Sequence, residues 1–576
     1  MEKMTATELA TGEKNSPARS VASRLLGRLF GLPPRHTADV AVKRDLTIPM
    51  PDGTAQYADR WHRIGGGDAD PVMLVRTPYG RRPLGPFARL FAERGYQVVV
   101  ASCRGTFGSG GTFDPLRDEA ADGRATLAWL AGQPWNPGTV VTWGASYAGL
   151  TQWALARGRP AQVAAAALTS SAADVRSTWF YPGGVFALWL TAFWSWSIHE
   201  QEQASGSWVR QLAGQRRKAK VLAGALGTLP LQAVDGRLFG VKAPWYQDWL
   251  AHPGPGDPWW DQVIYTGDAA GMAPASLVAG WYDFFLPHQL ADFQRLRAAG
   301  NPARITVGPW HHGSFGMFRA SLWDAVDWFG HRLRGADAAH PEPVRVFVQG
   351  SGRWIGLPDW PPPCDVQRWH LHPQGLLATA PPPSDGADRY RYDPADPTPA
   401  VGGASLPQPY AGSKNNAARE ARPDVLVYSS EALADDLTVI GPVRAELWVR
   451  PSLDHADLFV RLCDVDPRGR SWNRSDGIVR LRPRAARREA DGTMRAVVEL
   501  WPTATTFRCG HRVRLQVSSG AHPVYARNLG TGEPLGQATT MRAADIEVSR
   551  SPTRPSAVEL PVVALTDRDL RLETQP

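Results

Sequence analysis

Short apolar runs, separated by stretches of helical spacing, dominate the first half of the chain. Val72–Val75, Val98–Ala101 and Val140–Trp143 are continuous apolar runs bounded by turn residues, the pattern of strands covered on both faces. Phe87–Arg94 and Asp122–Ala131 lie between them with helical periodicity. Upstream, Val40–Pro49 alternates, Asp52-Gly53 marks a turn, and a second strand runs through Trp61, so a hairpin is expected there. The rhythm continues at Val163–Leu168, stops, and returns at Ala275–Ala279 and Ile305–Val307, with a helix over about Ala320–Arg334. Strands alternating with helices predict βαβ units and a parallel sheet.

The interruption, residues 173–271, is rich in Trp and carries helical segments such as Val185–Ser197 and Trp208–Leu226, broken by Pro and Gly. It reads as a helical insertion. Beyond about residue 345 helical patterning nearly vanishes. Strand candidates there include Val344–Val348, Val366–Leu371, Val425–Ser429, Ala445–Val449, Leu458–Asp464, Met494–Leu500, Arg512–Val517 and Ala543–Val548, which fit a β-sandwich or jelly roll. Leu376–Arg422, rich in Pro, Gly and Ala, reads as a long surface excursion. At the other end, residues 1–36 read as a loose leader with a short amphipathic helix within Val21–Leu32.

Composition narrows the classes. The 56 Gly and 50 Pro among 576 residues favour turns over a helical bundle. The 24 Trp point to a wide apolar pocket or aromatic seams. The net charge of +8 is spread thinly, with no basic stripe interleaved with aromatics, which argues against nucleic-acid binding. The densest basic run, Gln215–Lys220, reads as a solvated helix face. Cys103, Cys364, Cys463 and Cys509 lie too far apart for a zinc site or a disulfide framework. No run of 18 apolar residues suggests a membrane span, and the polar N-terminus does not read as a signal peptide. A cytoplasmic protein is expected, with no bound metal or cofactor.

The candidate chemistry begins at Gly144-Ala145-Ser146-Tyr147-Ala148-Gly149, between a strand run and the helical run Leu150–Arg157. That is the setting of a nucleophile elbow, where small residues must flank an exposed Ser. Ala148 stands at the usual second Gly position. Such a Ser needs a base and an acid, which in α/β-hydrolases follow it in the order acid, then His. Gly280-Trp281-Tyr282-Asp283 and Gly308-Pro309-Trp310-His311-His312 each follow a predicted strand and supply them in that order; spacing alone leaves His311 and His312 as alternatives. The backbone N–H of Tyr147 is one expected oxyanion donor, and the Tyr79 hydroxyl, in Arg76-Thr77-Pro78-Tyr79, is a candidate for the second. Arg104–Gly111 lacks the Gly-Lys-Ser/Thr of a phosphate loop and reads as a flexible turn.

Together these motifs, with Arg104-Gly105, Gln133-Pro134-Trp135, Val344-Arg345-Val346-Phe347 and Gly510-His511-Arg512, resemble the cocaine esterase / X-prolyl dipeptidyl aminopeptidase family over about residues 40–560. That family also holds the α-amino-acid ester hydrolases and other CocE/NonD hydrolases. The resemblance implies an α/β-hydrolase domain (37–172 and 272–345), a helical cap (173–271) and a C-terminal jelly roll (346–576). It implies Ser146 as nucleophile, Asp283 as acid, His312 as base, and Tyr79 beside the Tyr147 amide as oxyanion donors. Two departures stand out: Ser102 replaces a frequent Asp, and Phe284 replaces a small residue after the acid. Phe284, Phe285, Trp179 and Trp189 are expected to line the substrate pocket. The expected activity is hydrolysis of small-molecule carboxylic esters with a bulky or aromatic acyl group. X-Pro aminopeptidase or amino-acid ester or amide hydrolysis, acyl transfer, and a non-enzymatic glycan-binding role are the alternatives. An aminopeptidase would need carboxylates around a free amine, for which Asp174, Glu200, Glu202 and Asp248 are candidates. Oligomeric state is not legible.

Overall fold

The computed structural model describes residues 17–65, 67–203, 215–406, 410–481 and 488–565. Ten strands form the first sheet: β1 (Val40–Pro49), β2 (Ala55–Arg63), β3 (Val72–Thr77), β4 (Gln97–Ser102), β5 (Val140–Ala145), β6 (Val163–Thr169), β7 (Ala275–Tyr282), β8 (Ala303–His311), β9 (Val344–Val348) and β10 (Arg353–Leu357). Their order is β1-β2-β4-β3-β5-β6-β7-β8-β9-β10. The pairs from β4 through β9 are parallel, while β1, β2 and β10 run antiparallel to their neighbours.

The continuous apolar runs follow from burial on both faces. Met73, Val75, Val98 and Val100 point to one side, where α2 (Arg81–Ala92) and the helix Phe315–Arg334 pack. Val72, Leu74, Val99 and Ala101 point to the other, under α3 (Glu119–Ala131) and α4 (Tyr147–Ala156). The period of two along each strand thus feeds two cores, each buried Val or Leu contributing about 1.5–3 kcal/mol.

The insertion after β6 forms a helical cap around α5 (Leu188–Gln203), with helices Gln215–Leu226, Val234–Phe239 and Pro244–Ala251. Its aromatic core includes Trp179, Trp194, Trp249 and Trp260 and runs without a break onto Tyr147, Phe284 and Phe285 below. The part of the expected helix over 208–214 lies outside the described residues.

The C-terminal part is a pair of packed antiparallel sheets of nine and four strands, closed over a core of Leu447, Leu462, Val498, Phe507, Leu515 and Ile546. The whole is an α/β-hydrolase with an inserted cap and a C-terminal β jelly-roll domain.

Four details depart from the sequence reading. Val344–Val348 joins the hydrolase sheet as β9, parallel to β8, and β10 follows it; the sheet therefore runs past residue 345. An isolated strand carries no mark of which sheet it will join. In the leader, the expected helix is present as α1 (Pro17–Leu29), but the segment is not loose: Phe30 behind it is buried against Phe87 and Phe315 at centroid distances of 6.0 and 5.4 Å. Within 376–422, Ala387–Tyr392 is a strand paired with Ala544–Ser549. Tyr390 and Tyr392 face the core, while Arg389 and Arg391 face outward to Glu547 and Asp545. The excursion is partly sheet, its short alternation hidden by Pro-rich flanks. Arg104, in the turn first read as flexible, is ion-paired to Asp52 and Asp122, each at 2.6 Å.

Candidate active site

β5 delivers the chain into Ser146, and α4 starts at the next residue. Ser146 has φ 57° and ψ −124°, a conformation that costs an L-residue about 1–3 kcal/mol. The surroundings enforce it. A Cβ on Gly144 would stand 2.6 Å from Ala148, and one on Gly149 would stand 2.5 Å from the Ser171 Cβ, so only Gly fits at either position. Ala148 itself is accommodated, buried against the sheet. The Ser146 N–H donates to Thr169 O at 2.9 Å, and its carbonyl accepts from Gly149 and Leu150.

Asp283 is the residue after β7 and is fully buried. Its Oδ1 accepts the Phe285 N–H at 2.9 Å. Its Oδ2 lies 2.9 Å from Nδ1 of His312, which follows β8. A carboxylate accepts, so the proton of the neutral ring sits on Nδ1 and Nε2 carries the lone pair. His311 instead turns its Nδ1 to the His312 carbonyl at 3.1 Å; it is His312 that the fold brings to Asp283. Phe284 and Phe285 flank the His312 ring at 4.7 and 5.8 Å. Ser146, His312 and Tyr79 line one cavity of about 250 Å³.

Tyr79 stands just beyond β3, its N–H donating to Thr77 Oγ1 at 3.1 Å. Its hydroxyl oxygen accepts the Trp194 Nε1–H at 3.0 Å, and Tyr79 lines the same cavity as Ser146. Burial raises the Tyr79 pKa above its ordinary value, and the hydrogen bond from Trp194 partly offsets it. The Tyr147 ring is anchored below: its hydroxyl donates to Glu119 Oε1 at 2.9 Å and accepts the Leu116 N–H at 2.8 Å. Glu119 is in turn paired with the buried Arg76 at 2.6 Å. Burial first, and then the Glu119 charge, push the Tyr147 phenol well above its ordinary range.

The four side chains expected to line the substrate pocket do not line this cavity. Trp179 is buried against Trp194, Phe284 and Phe285. Phe284 borders a separate cavity of about 280 Å³ with Thr178, His288 and Trp501. Trp189 packs on Phe193 and Tyr410, where the cap meets the jelly roll. Large rings at these positions fill the cap core, and the walls beside Ser146 come from α2 and the helix Phe315–Arg334: Leu84, Phe87, Met317 and Phe318, with Val75 and Trp143 from the sheet. Glu119 and Trp194 were not legible as site residues, because nothing local marks a carboxylate or an indole that acts on a Tyr far along the chain. Among the described residues, no group of three or more His, Cys, Asp or Glu is arranged to hold a metal ion, and no helix is long and apolar enough to cross a membrane.

A Ser on a strained strand-to-helix turn after β5, in a parallel sheet that carries an Asp after β7 paired to a His after β8, defines the class: a serine hydrolase of the α/β type. Residues 59–314 match the X-Pro dipeptidyl-peptidase (S15 family) model, and residues 336–559 match the X-Pro dipeptidyl-peptidase C-terminal non-catalytic domain. The cocaine esterase of Rhodococcus sp. (strain MB1 Bresler) is 33% identical over 573 residues, covering 91% of this chain and 99% of that protein. The chain belongs to this family of serine hydrolases acting on esters or X-Pro peptides. Solved structures agree in fold. An α-amino acid ester hydrolase superposes with a TM-score of 0.76 at 23% identity, covering 91% of this chain and 97% of that one. A CocE/NonD family hydrolase from Staphylococcus aureus does so with 0.69 at 18% identity, covering 91% and 94%.

Proposed function

We propose that the chain hydrolyses small carboxylic esters by a two-step acyl transfer at Ser146. Asp283 holds the His312 tautomer, so that Nε2 takes the Ser146 proton as the hydroxyl attacks the carbonyl. The Tyr147 amide and the Tyr79 hydroxyl receive the oxyanion. The tetrahedral intermediate collapses to the acyl-enzyme as His312 protonates the leaving alcohol. Water then repeats the sequence and releases the acid.

The apolar walls of the cavity beside Ser146 carry the choice of substrate. Leu84, Phe87, Met317 and Phe318 suit an uncharged apolar group on the ester, and no carboxylate is among the lining residues. A free α-amine, as in an X-Pro peptide, finds no counter-charge there. Of the acids considered for that role, Asp174 caps the Ser177 N–H at 2.9 Å, and neither it, Glu200 nor Asp248 lines the cavity; the Glu202 side chain lies outside the described residues. The apolar group of the substrate therefore packs on α2 and the helix Phe315–Arg334 rather than on Trp179 or Trp189.

Ser146→Ala is expected to lower kcat for p-nitrophenyl butyrate by roughly 10⁴-fold or more while leaving the unfolding transition in place. Retained turnover in that variant would rule out Ser146 as nucleophile. Comparing p-nitrophenyl esters with an X-Pro p-nitroanilide separates the two substrate classes. A higher kcat/KM on the anilide would overturn the ester reading.

A further inference from the structure

The Tyr79 hydroxyl has one proton, and the cap determines where it points. Trp194 lies on α5, and its Nε1 is 3.0 Å from the Tyr79 oxygen. An indole N–H donates and never accepts, so Tyr79 is the acceptor in this contact and its own proton must be directed elsewhere. The other polar neighbours of that oxygen are the Tyr147 amide and the Ser146 side chain. The amide, too, only donates. The phenolic proton is left for the side on which Ser146 stands, where a carbonyl under attack gathers negative charge. The same indole lies flat over the Tyr147 ring, centroids 6.0 Å apart and planes within 5°. It is fixed from behind by Trp179, edge-on at 4.8 Å. One cap residue thus touches both residues assigned to the oxyanion hole.

We propose that Trp194 is a positioning residue of the oxyanion hole: its N–H orients the Tyr79 hydroxyl so that the phenolic proton is donated to the developing oxyanion. A hydroxyl that accepts one hydrogen bond is also a stronger donor in the next. The cap therefore takes part in the acyl-transfer step as well as enclosing it. This inference rests on the reading of Tyr79 as an oxyanion donor.

The test is a double-mutant cycle on kcat and KM for p-nitrophenyl butyrate, using Tyr79→Phe, Trp194→Phe and the double variant of the full chain. Tyr79→Phe is expected to lower kcat by roughly 10²–10³-fold. Trp194→Phe is expected to lower it by about tenfold with KM changed less than about twofold. In the Tyr79→Phe background the same change is expected to cost less than about twofold, because its target is gone. Placing 3-benzothienylalanine at position 194 keeps the fused ring and the stacking, removes only the donor, and is expected to reproduce the loss even where Trp194→Phe impairs folding. Wild-type kcat in the benzothienylalanine protein, or an equal loss in both backgrounds, would overturn the proposal. A silent Tyr79→Phe would overturn the oxyanion reading itself, and the proposal with it.

Discussion

Ser146 stores backbone strain, and the residues around it are selected for steric reasons that a sequence displays. Gly144 is required by Ala148 and Gly149 by Ser171; because both glycines flank the nucleophile along the chain, the elbow is legible as a motif. Asp283 and the His311-His312 pair are legible for a related reason: each lies at the end of a buried strand, where a parallel sheet gathers its functional side chains. Glu119 and Trp194 carry no such local mark. Their importance lies in which Tyr each one touches, and no spacing rule encodes that. The Tyr79 phenol leads to a prediction at this scale. Burial raises its pKa, and a raised pKa in an acid means the protonated, donating form persists to higher pH. The kcat for an ester is therefore expected to stay level to about pH 10, the ordinary range of a tyrosine, when measured by rapid pH-jump initial rates. An alkaline fall centred below that value, and absent in Tyr79→Phe, would contradict the assignment.

At the scale of elements, α2 and the helix Phe315–Arg334 do two things. They cover one face of the sheet through Leu90, Phe91, Leu322 and Phe329, and through Leu84, Phe87, Met317 and Phe318 they wall the cavity beside Ser146. Met317 is buried, and its sulfur accepts from Ser170 Oγ at 2.8 Å. Met317→Ala is expected to cost about 2–5 kcal/mol of stability. It is also expected to raise the kcat/KM ratio of p-nitrophenyl hexanoate to acetate by roughly tenfold, since a hydrophobic pocket discriminates by about 1–3 kcal/mol per methylene. An unchanged ratio would place the apolar group elsewhere. Both helices show as helical spacing in the sequence, but that spacing begins at Phe87 and Ala320, six and five residues after the helices start at Arg81 and Phe315. Their early turns carry Arg, Pro and Gly rather than a regular apolar stripe, and the cavity-lining residues Leu84, Met317 and Phe318 sit there, outside the predicted spans.

At the scale of the whole molecule, the jelly roll is built into the hydrolase rather than appended to it. β9 and β10 complete the first sheet, and Gln349 beyond β9 exchanges backbone hydrogen bonds with Ala504 and Thr506 at 2.9 and 2.8 Å. Leu406 and Ala526 belong to the cap's aromatic core, and the Trp189 backbone N–H donates to Pro523 O at 3.1 Å. A chain ended at residue 340 would leave β8 as an unpaired edge and uncover cap aromatics, and both promote association. It is expected to aggregate and to resist labelling by a fluorophosphonate, as read by size-exclusion chromatography and gel fluorescence. A monomeric, labelled fragment would show that the hydrolase closes by itself.

The amino-acid sequence alone determined the alternation of strand and helix, the insertion, the change to an all-β texture and the positions of the elbow Ser, the candidate Asp and the His311-His312 pair. Each depends on periodicity or on sterics among near neighbours. Tertiary structure decided which sheet Val344–Val348 enters, which residues wall the cavity, and how Trp194, 115 positions from Tyr79, reaches its hydroxyl. Those outcomes depend on contacts between segments brought together only when the sheet, cap and jelly roll close on one another. Apolar residues drive that closure without directional preference, so the pattern along the chain records that a residue will be buried but not what it will touch.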